Sequence, residues 1–156
     1  MDRQSEIKAA MDADPAFAAL TDGMAAHDAA NAAAARFNEK AHPGKVASSA
    51  LFEVIMNRGW FARIKLLAST GAGDAQLAAI DALALLEDRE RELDYSNADS
   101  GTRMVEVLDA LIAAGALDTG TKNIILSLGQ NLRSRGDALG LGMVTGREVH
   151  LARGGV

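Results

Sequence analysis

The chain contains no cysteine, which excludes both disulfide bonds and thiolate metal ligands. Aromatic residues are also scarce, at 4% of 156 residues. Strands of β-sandwiches favour β-branched and aromatic residues, so this composition favours helices that pack closely through small side chains. No run of about 18 consecutive apolar residues occurs, and the charged N-terminal sequence lacks the apolar region of a signal peptide. We therefore expect no membrane partner and production in the cytoplasm.

Basic residues are fewer than acidic ones: the chain has 16 Lys and Arg residues, 21 Asp and Glu residues and a formal net charge of −5. Nucleic-acid binding generally depends on a basic surface that releases counterions from phosphates. We therefore expect no specific nucleic-acid partner. Apolar residues make up 49% of the chain and charged residues 24%, which is typical of a folded globular protein.

The spacing of apolar residues predicts an all-α fold, an irregular bundle of about five to seven short helices without a convincing strand. We predict three segments: an N-terminal helical arm (1–40), a helical bundle core (41–131) and a glycine-hinged C-terminal helical tail (132–156). Pro43 and Gly44 mark the first boundary, and residues 45–47 are compatible with extended backbone. The alanine-rich part of the arm has only a thin apolar face, which we expect a neighbouring subunit to cover.

The segment 75–94 has the best helical pattern in the chain. Leu77, Ile80 and Ala84 are expected to face inward, together with Leu83 or Leu86. Mixed charges follow at residues 87–92, at the spacing typical of a solvated helix surface.

Candidate catalytic and metal-binding patterns are weak. His27, His42 and His150 lie on three separate segments, without the paired spacing of a zinc site. No serine occupies a G-x-S-x-G setting. We therefore predict that the protein is not an enzyme and binds no cofactor or metal.

The C-terminal stretch LRSRGDALGLGMVTGREVHLAR combines arginines with closely spaced glycines. Its spacing differs from a dinucleotide-binding fingerprint, no strand precedes it, and no G-K-[ST] is present for a phosphate loop. A structural interpretation is stronger: Ser134 starts a short helix, Gly140 and Gly142 permit positive φ, and Thr145 caps a last helical segment.

Two groups of residues are candidates for an interface. Trp60 and Phe61 are adjacent, so both cannot point into one helical core face, and one of them is a candidate anchor for a partner. The alternative is that Trp60 packs in the bundle while Phe61 lines a second helix contact. The second group consists of four arginines in the tail: Arg133, Arg135, Arg147 and Arg153. We expect Arg133 and Arg135 to contact carboxylates or helix C-termini of a neighbouring subunit.

The order of these segments resembles a loose family of small alanine-rich helical proteins encoded among the virion genes of tailed bacteriophages and prophages. The resemblance begins with IKAAMDADPAFAAL and TDGMAAHDAANAAAA and continues through SGTRMVEVLDALIAAGALDTGTKNIILSLG. It is most marked in SRGDALGLGMVTGREVHLAR, because members of the family resemble one another in ending with a Ser-Arg segment, a Leu-Gly-Leu-Gly turn and a terminal segment that contains a Val and an Ala-Arg.

This resemblance implies a structural, non-enzymatic component of a tailed-phage or phage-like particle. The expected position is the head–tail connector or the tail, with localisation in the virion after synthesis in the host bacterium. The expected partners are portal, connector or tail proteins and further copies of the chain in a homo-oligomeric ring. The alternative is a helical interaction module outside the virion, such as an assembly chaperone or regulator.

Overall fold

Short helices dominate the computed structural model, which describes residues 2–155. Within these residues the chain forms ten helices and four strands of two or three residues each. The predicted dominance of α-helix is confirmed, whereas the predicted helix count and the absence of strands are wrong. The strands have only two or three residues each, and elements this short leave no periodic pattern in a sequence.

The chain divides into two compact units. The terminal unit combines the described residues up to His42 with those from Arg133 onward, and the central unit comprises Pro43–Leu132. The N-terminal and C-terminal segments, which the sequence predicts to be a separate arm and tail, therefore fold together.

The terminal unit is built from five helices and two strands. Its core is formed by both of its chain segments, because Ile7, Phe17 and Phe37 cluster with Val144 and Val149. The alanine-rich face of the third helix, which we expected a neighbour to cover, is covered by the chain's own C-terminal segment. The elements are α1 (Arg3–Asp12), α2 (Pro15–Thr21), α3 (Ala26–Asn38), β1 (Lys40–His42), β4 (Arg133–Ser134), α9 (Arg135–Ala138) and α10 (Gly146–Ala152). Strands β1 and β4 pair antiparallel.

The central unit contains the other five helices and two strands. Its elements are β2 (Lys45–Ala47), α4 (Ser48–Asn57), α5 (Phe61–Thr70), α6 (Gly73–Glu87), β3 (Glu92–Asp94), α7 (Ala98–Ala113) and α8 (Thr119–Leu128). Strands β2 and β3 pair antiparallel, with Val46 opposite Leu93. The predicted helix over 75–94 thus ends at Glu87, and its last residues form a strand instead.

The inward face predicted for α6 is wrong for Leu77, Ile80 and Ala84, whereas the burial of Leu86, one of the two alternatives at that end of the helix, is confirmed. Leu77, Ile80 and Ala84 lie at the surface, whereas Ala78, Ala79, Ala82 and Leu86 are buried. Helix α6 is apolar around most of its circumference, so its pattern does not select one face. The alanine side is buried because small side chains allow α5 and α7 to pack closely against it. The larger leucine and isoleucine side chains are consequently left facing solvent.

Local capping follows the sequence at several helix ends. The Asp14 side chain accepts a hydrogen bond from the Ala16 amide at the start of α2, where Pro15 occupies the first turn. Capping boxes at Ser134 and Thr145 begin α9 and α10 as predicted.

Candidate interaction surfaces

The predicted aromatic pair lies in the central unit, where α5 begins. Trp60 and Phe61 are both half-buried and pack against the hydrophobic core, as does Phe52. The Phe61 ring meets the Phe52 ring edge to face, with centroids 5.2 Å apart. Each of the two residues therefore packs within the unit, and neither projects fully into solvent.

Cations lie over these aromatic faces. The Lys65 ammonium is 5.6 Å from the Phe61 centroid, and the Arg89 guanidinium is 4.2 Å from the Phe52 centroid. The Arg63 guanidinium lies 5.1 Å from the Trp60 centroid. Cation–π contacts at exposed sites contribute only about 0.5–1 kcal/mol each. A partner can therefore displace these side chains at modest cost.

Arg135, predicted to meet a carboxylate of a neighbour, binds one within its own chain. Its Nη1 lies 2.7 Å from Oδ2 of Asp14, and its guanidinium stands 5.2 Å from the Phe17 ring centroid. This contact links the C-terminal segment to the start of α2. Because the side chains of Arg135 and Asp14 are both half-buried, their ion pair is expected to hold the C-terminal segment against α2 within the terminal unit.

The other three predicted arginines lie apart from this contact. The Arg133 Nη2 donates a hydrogen bond to the Asp137 carbonyl oxygen at 3.2 Å, which satisfies a carbonyl near the end of α9. Arg147 and Arg153 are exposed. Arg153 borders a cleft of about 340 Å³ in the terminal unit, together with Phe17 and others. All four arginines belong to the terminal unit, whereas the aromatic pair belongs to the central unit.

The segment between α9 and α10, residues 139–145, is the glycine-rich stretch of the sequence and is held by many hydrogen bonds. Gly140 and Gly142 have φ of 74° and 61°, as predicted. The amide of Leu141 donates to the Gly136 carbonyl oxygen at 2.7 Å. The Asn38 side chain contacts both backbone groups of Val144, accepting from its N–H at 2.9 Å and donating to its carbonyl oxygen at 2.7 Å. The segment that the sequence predicts to be a glycine hinge is therefore a loop held in place by hydrogen bonds.

Arg3, which lies on α1, also binds this loop. Its Nη1 and Nη2 donate to the carbonyl oxygens of Leu141 and Met143, both at 2.6 Å. Its Nε donates to the Glu148 carboxylate at 2.5 Å. This hydrogen bond, together with the Thr145 amide, lowers the pKa of Glu148 to about 2. These contacts of Arg3 could not be inferred from local sequence, because Arg3 lies more than 130 residues from the loop.

The ion pair predicts a pH dependence. Glu148 has a folded-state pKa of about 2 against an ordinary value of 4.5, so its charged form stabilises the terminal unit above pH 4.5 and this contribution is lost as pH falls toward 2. Glu148→Gln should flatten this part of the stability profile, measured by circular dichroism melts from pH 5 to pH 2. Arg3→Ala should flatten it similarly. Identical profiles for wild type and Glu148→Gln would contradict the assignment.

Gly136 is required by close packing rather than by backbone conformation. A Cβ atom there would overlap the carbonyl oxygen of Gly142, which is backbone and cannot rotate away. Gly136→Ala should therefore destabilise the terminal unit by about 1–3 kcal/mol, measured by denaturant unfolding. Gly101→Ala in α7 is the control, because nothing lies near its added Cβ and it should stabilise the protein by about 0.5–1 kcal/mol. Equal effects of the two substitutions would refute this explanation.

The surface that sequence reasoning missed is apolar and lies on the hairpin of α5 and α6. Leu66 is 62% exposed, Leu77 is 60% exposed and Ile80 is 45% exposed. Leu66 lies four residues before the end of α5, and Leu77 lies four residues after the start of α6. Apolar side chains grouped at a surface mark protein–protein contacts more often than isolated ones do. The signal in the sequence was the presence of more large apolar residues on α6 than one helix face can bury.

The central unit also contains an apolar cleft of about 270 Å³. Its walls come from α4, α6, α7 and α8, and its rim carries Arg91 and an ion pair between Arg103 and Asp81 at 2.7 Å. Ala84 borders the cleft and lies on the same helix face as Leu77 and Ile80. The wall residues are mainly aliphatic: Leu51, Ile55, Leu86, Met104, Leu108, Leu111 and Ile125.

In the described part of the chain, no three His, Asp or Glu side chains converge in a way that could hold a metal ion. None of the helices within residues 2–155 has the length and apolar character needed to cross a lipid bilayer. Comparisons with protein-family models, curated proteins and solved structures found no match to this chain.

Proposed function

We propose that this chain is a structural component of a tailed-phage or phage-like particle that acts through contacts between subunits. Its place is the head–tail connector or the tail, and its partners are portal, connector or tail proteins and further copies of itself in a ring. The resemblance of its segments to small virion-encoded helical proteins supports this proposal.

The observation that carries the proposal is the exposed apolar surface on α5 and α6. Leu66, Leu77 and Ile80 face solvent, although the smaller side chains of Ala78, Ala79 and Ala82 on α6 are buried. Full burial of such a side chain contributes about 1.5–3 kcal/mol of favourable free energy. This contribution is missing while the side chain faces water, and contact with another subunit would supply it. A protein that works as repeated copies presents the same surface many times, so a modest contact is repeated around a closed ring.

Deletion of the gene from the phage or prophage that encodes it tests this function. Particles formed without the protein should be defective, with heads and tails unjoined or tails incomplete in electron micrographs. A substituted gene encoding Leu66→Ser together with Leu77→Ser should reproduce the defect, because both changes leave the core intact. Normal particles and normal infectivity after deletion would contradict the proposal.

A further inference from the structure

Helix α1 contributes a single fully buried side chain to the terminal unit. Ile7 belongs to the cluster that contains Val144 and Val149, whereas the other residues of α1 are exposed or half-buried. The helix has ten residues, and an isolated helix of this length is only marginally stable in water. An element with few buried apolar contacts also opens at a lower free-energy cost than the rest of a folded unit. Helix α1 is therefore the part of the terminal unit that we expect to detach most readily.

The contacts that hold α1 come mainly from the C-terminal segment of the chain. Helix α1 packs against α10, where Ile7 is buried beside Val149 in the shared cluster. Arg3 donates hydrogen bonds to three acceptors in this segment: two carbonyl oxygens of the 139–145 loop and the Glu148 carboxylate. The spacing of Arg3 and Ile7 along one helix matches this site, and every copy of the chain carries the same helix. The α1 of a second copy therefore fits the site as well as the chain's own α1 does.

The connection between α1 and α2 consists of Ala13 and Asp14. Asp14 is fixed, because its side chain accepts from the Ala16 amide and binds Arg135, and because a residue before proline avoids helical backbone. Ala13 is exposed and lacks these contacts, so a rotation there redirects α1 without disturbing α2. This rotation breaks one backbone hydrogen bond, from the Asp14 amide to the Met11 carbonyl oxygen at 3.2 Å. The connection therefore permits α1 to leave its own unit at small cost.

We propose that α1 of one copy binds α10 and the 139–145 loop of the next copy in the assembled ring, so that neighbouring subunits exchange this helix. The proposal rests on the proposed function and names a contact through which copies join. Exchange replaces each contact within one chain by the same contact between chains, which makes it a low-cost route to association. Because each copy passes its helix to the next, the contact is head to tail and closes into a ring when the rotation between copies permits it. A helix of ten residues is about 15 Å long, so the terminal units of neighbouring copies lie side by side.

Reversal of the charges at positions 3 and 148 tests the exchange in the particle. Arg3→Glu brings two carboxylates together and Glu148→Arg brings two guanidinium groups together, both within a chain and between identical chains. Each variant alone should lower the titre of infectious particles about tenfold or more. Production of both variants in the same cell should restore the titre at least in part, because the α1 of each variant carries the charge opposite to position 148 of the other.

The control is a single chain that carries both Arg3→Glu and Glu148→Arg. It has opposite charges at the two positions wherever α1 binds, and it lacks the Thr145 capping box just as Glu148→Arg alone does. It should therefore restore the titre in part. Restoration by this chain but not by the two variants together would place the contact within one copy, so the exchange would be wrong and the proposed function would stand. Normal titres with both single variants would also contradict the exchange.

Cross-linking of the purified chain keeps Glu148 and its capping box, so it applies even where Glu148→Arg fails to fold. The chain has no cysteine of its own. A copy with Gln4→Cys on α1 is mixed at high concentration with a differently tagged copy that carries Arg147→Cys on α10, and both positions are exposed. A short bismaleimide should join the two copies. The control partner is Ala35→Cys, which is exposed on α3 and should react far less.

Two results of the cross-linking would contradict the exchange. One is the absence of a mixed product, and the other is an equal yield with Arg147→Cys and Ala35→Cys. Neither result bears on the proposed function, which is decided by the composition of purified particles.

Discussion

Replacing Phe37 by alanine should lower the free energy of unfolding of the terminal unit by about 3–5 kcal/mol. Phe37 is fully buried on α3, and its ring centroid lies 4.7 Å from that of Phe17. It belongs to the cluster that joins the N-terminal and C-terminal segments of the chain. Its truncation leaves a cavity at the point where these segments meet, so the loss exceeds that of an ordinary surface substitution.

The two units offer separate spectroscopic probes for this test. The single tryptophan and the single tyrosine, Trp60 and Tyr95, both lie in the central unit, so tryptophan fluorescence reports on that unit. Phe37→Ala should shift the unfolding transition followed by circular dichroism and leave the fluorescence transition in place. Leu20→Ala is the exposed control and should change stability by less than about 0.5 kcal/mol. Equal shifts of both probes would show that the units unfold together.

Replacing Ile64 by alanine should have the reciprocal effect, with a loss of about 2–5 kcal/mol in the central unit. Ile64 is fully buried on α5 and packs in the cluster formed with α6. The tryptophan fluorescence transition should move to lower denaturant concentration. The part of the circular dichroism signal that comes from the terminal unit should stay in place.

Leu66→Ala is the matched control for Ile64→Ala, since it lies two residues away on the same helix. Leu66 is largely exposed, so its truncation should change the fluorescence transition by less than about 0.5 kcal/mol. A large destabilisation by Leu66→Ala would mean that this side chain is part of a folded core, and it would remove the main support for the proposed interaction surface.

Local signals in the sequence predicted local structure well. Asp14 before Pro15, Ser134 and Thr145 each start a helix, because a side-chain oxygen at that position accepts from a free amide of the first turn. The positive φ of Gly140 and Gly142 was also predictable, since glycine adopts this conformation without steric penalty.

Contacts between segments that are distant in the sequence could not be predicted from these local signals. The alanine-rich face of α3 required a partner, but the sequence could not show that the partner is the chain's own C-terminal segment, more than 100 residues away. Arg3 and Asn38 convert an expected glycine hinge into a fixed loop through equally distant contacts. Such contacts depend on tertiary packing and leave no periodic pattern along the chain.

The candidate interaction surfaces show the same difference between local signals, which the sequence contains, and long-range contacts, which it does not. Trp60 and Phe61 were selected because adjacent aromatics cannot share one helix face, and both pack partly within the central unit. Arg135 was selected for its charge, and its carboxylate partner proved to be Asp14 of the same chain. The sequence assigns the exposed face of α6 to the core, because a helix that is apolar around most of its circumference gives no clear preference for one side. The structure therefore moves the best candidate surface from the arginines to Leu66, Leu77 and Ile80.

Quantitative mass spectrometry of purified phage-like particles tests the central proposal most directly. The protein should be present in every preparation, in several copies and in a fixed ratio to the portal protein, and it should remain after washing at high salt because apolar contacts hold it. Its absence from particles that contain portal and tail proteins, while the lysate contains it, would contradict a structural role and favour an assembly chaperone or regulator.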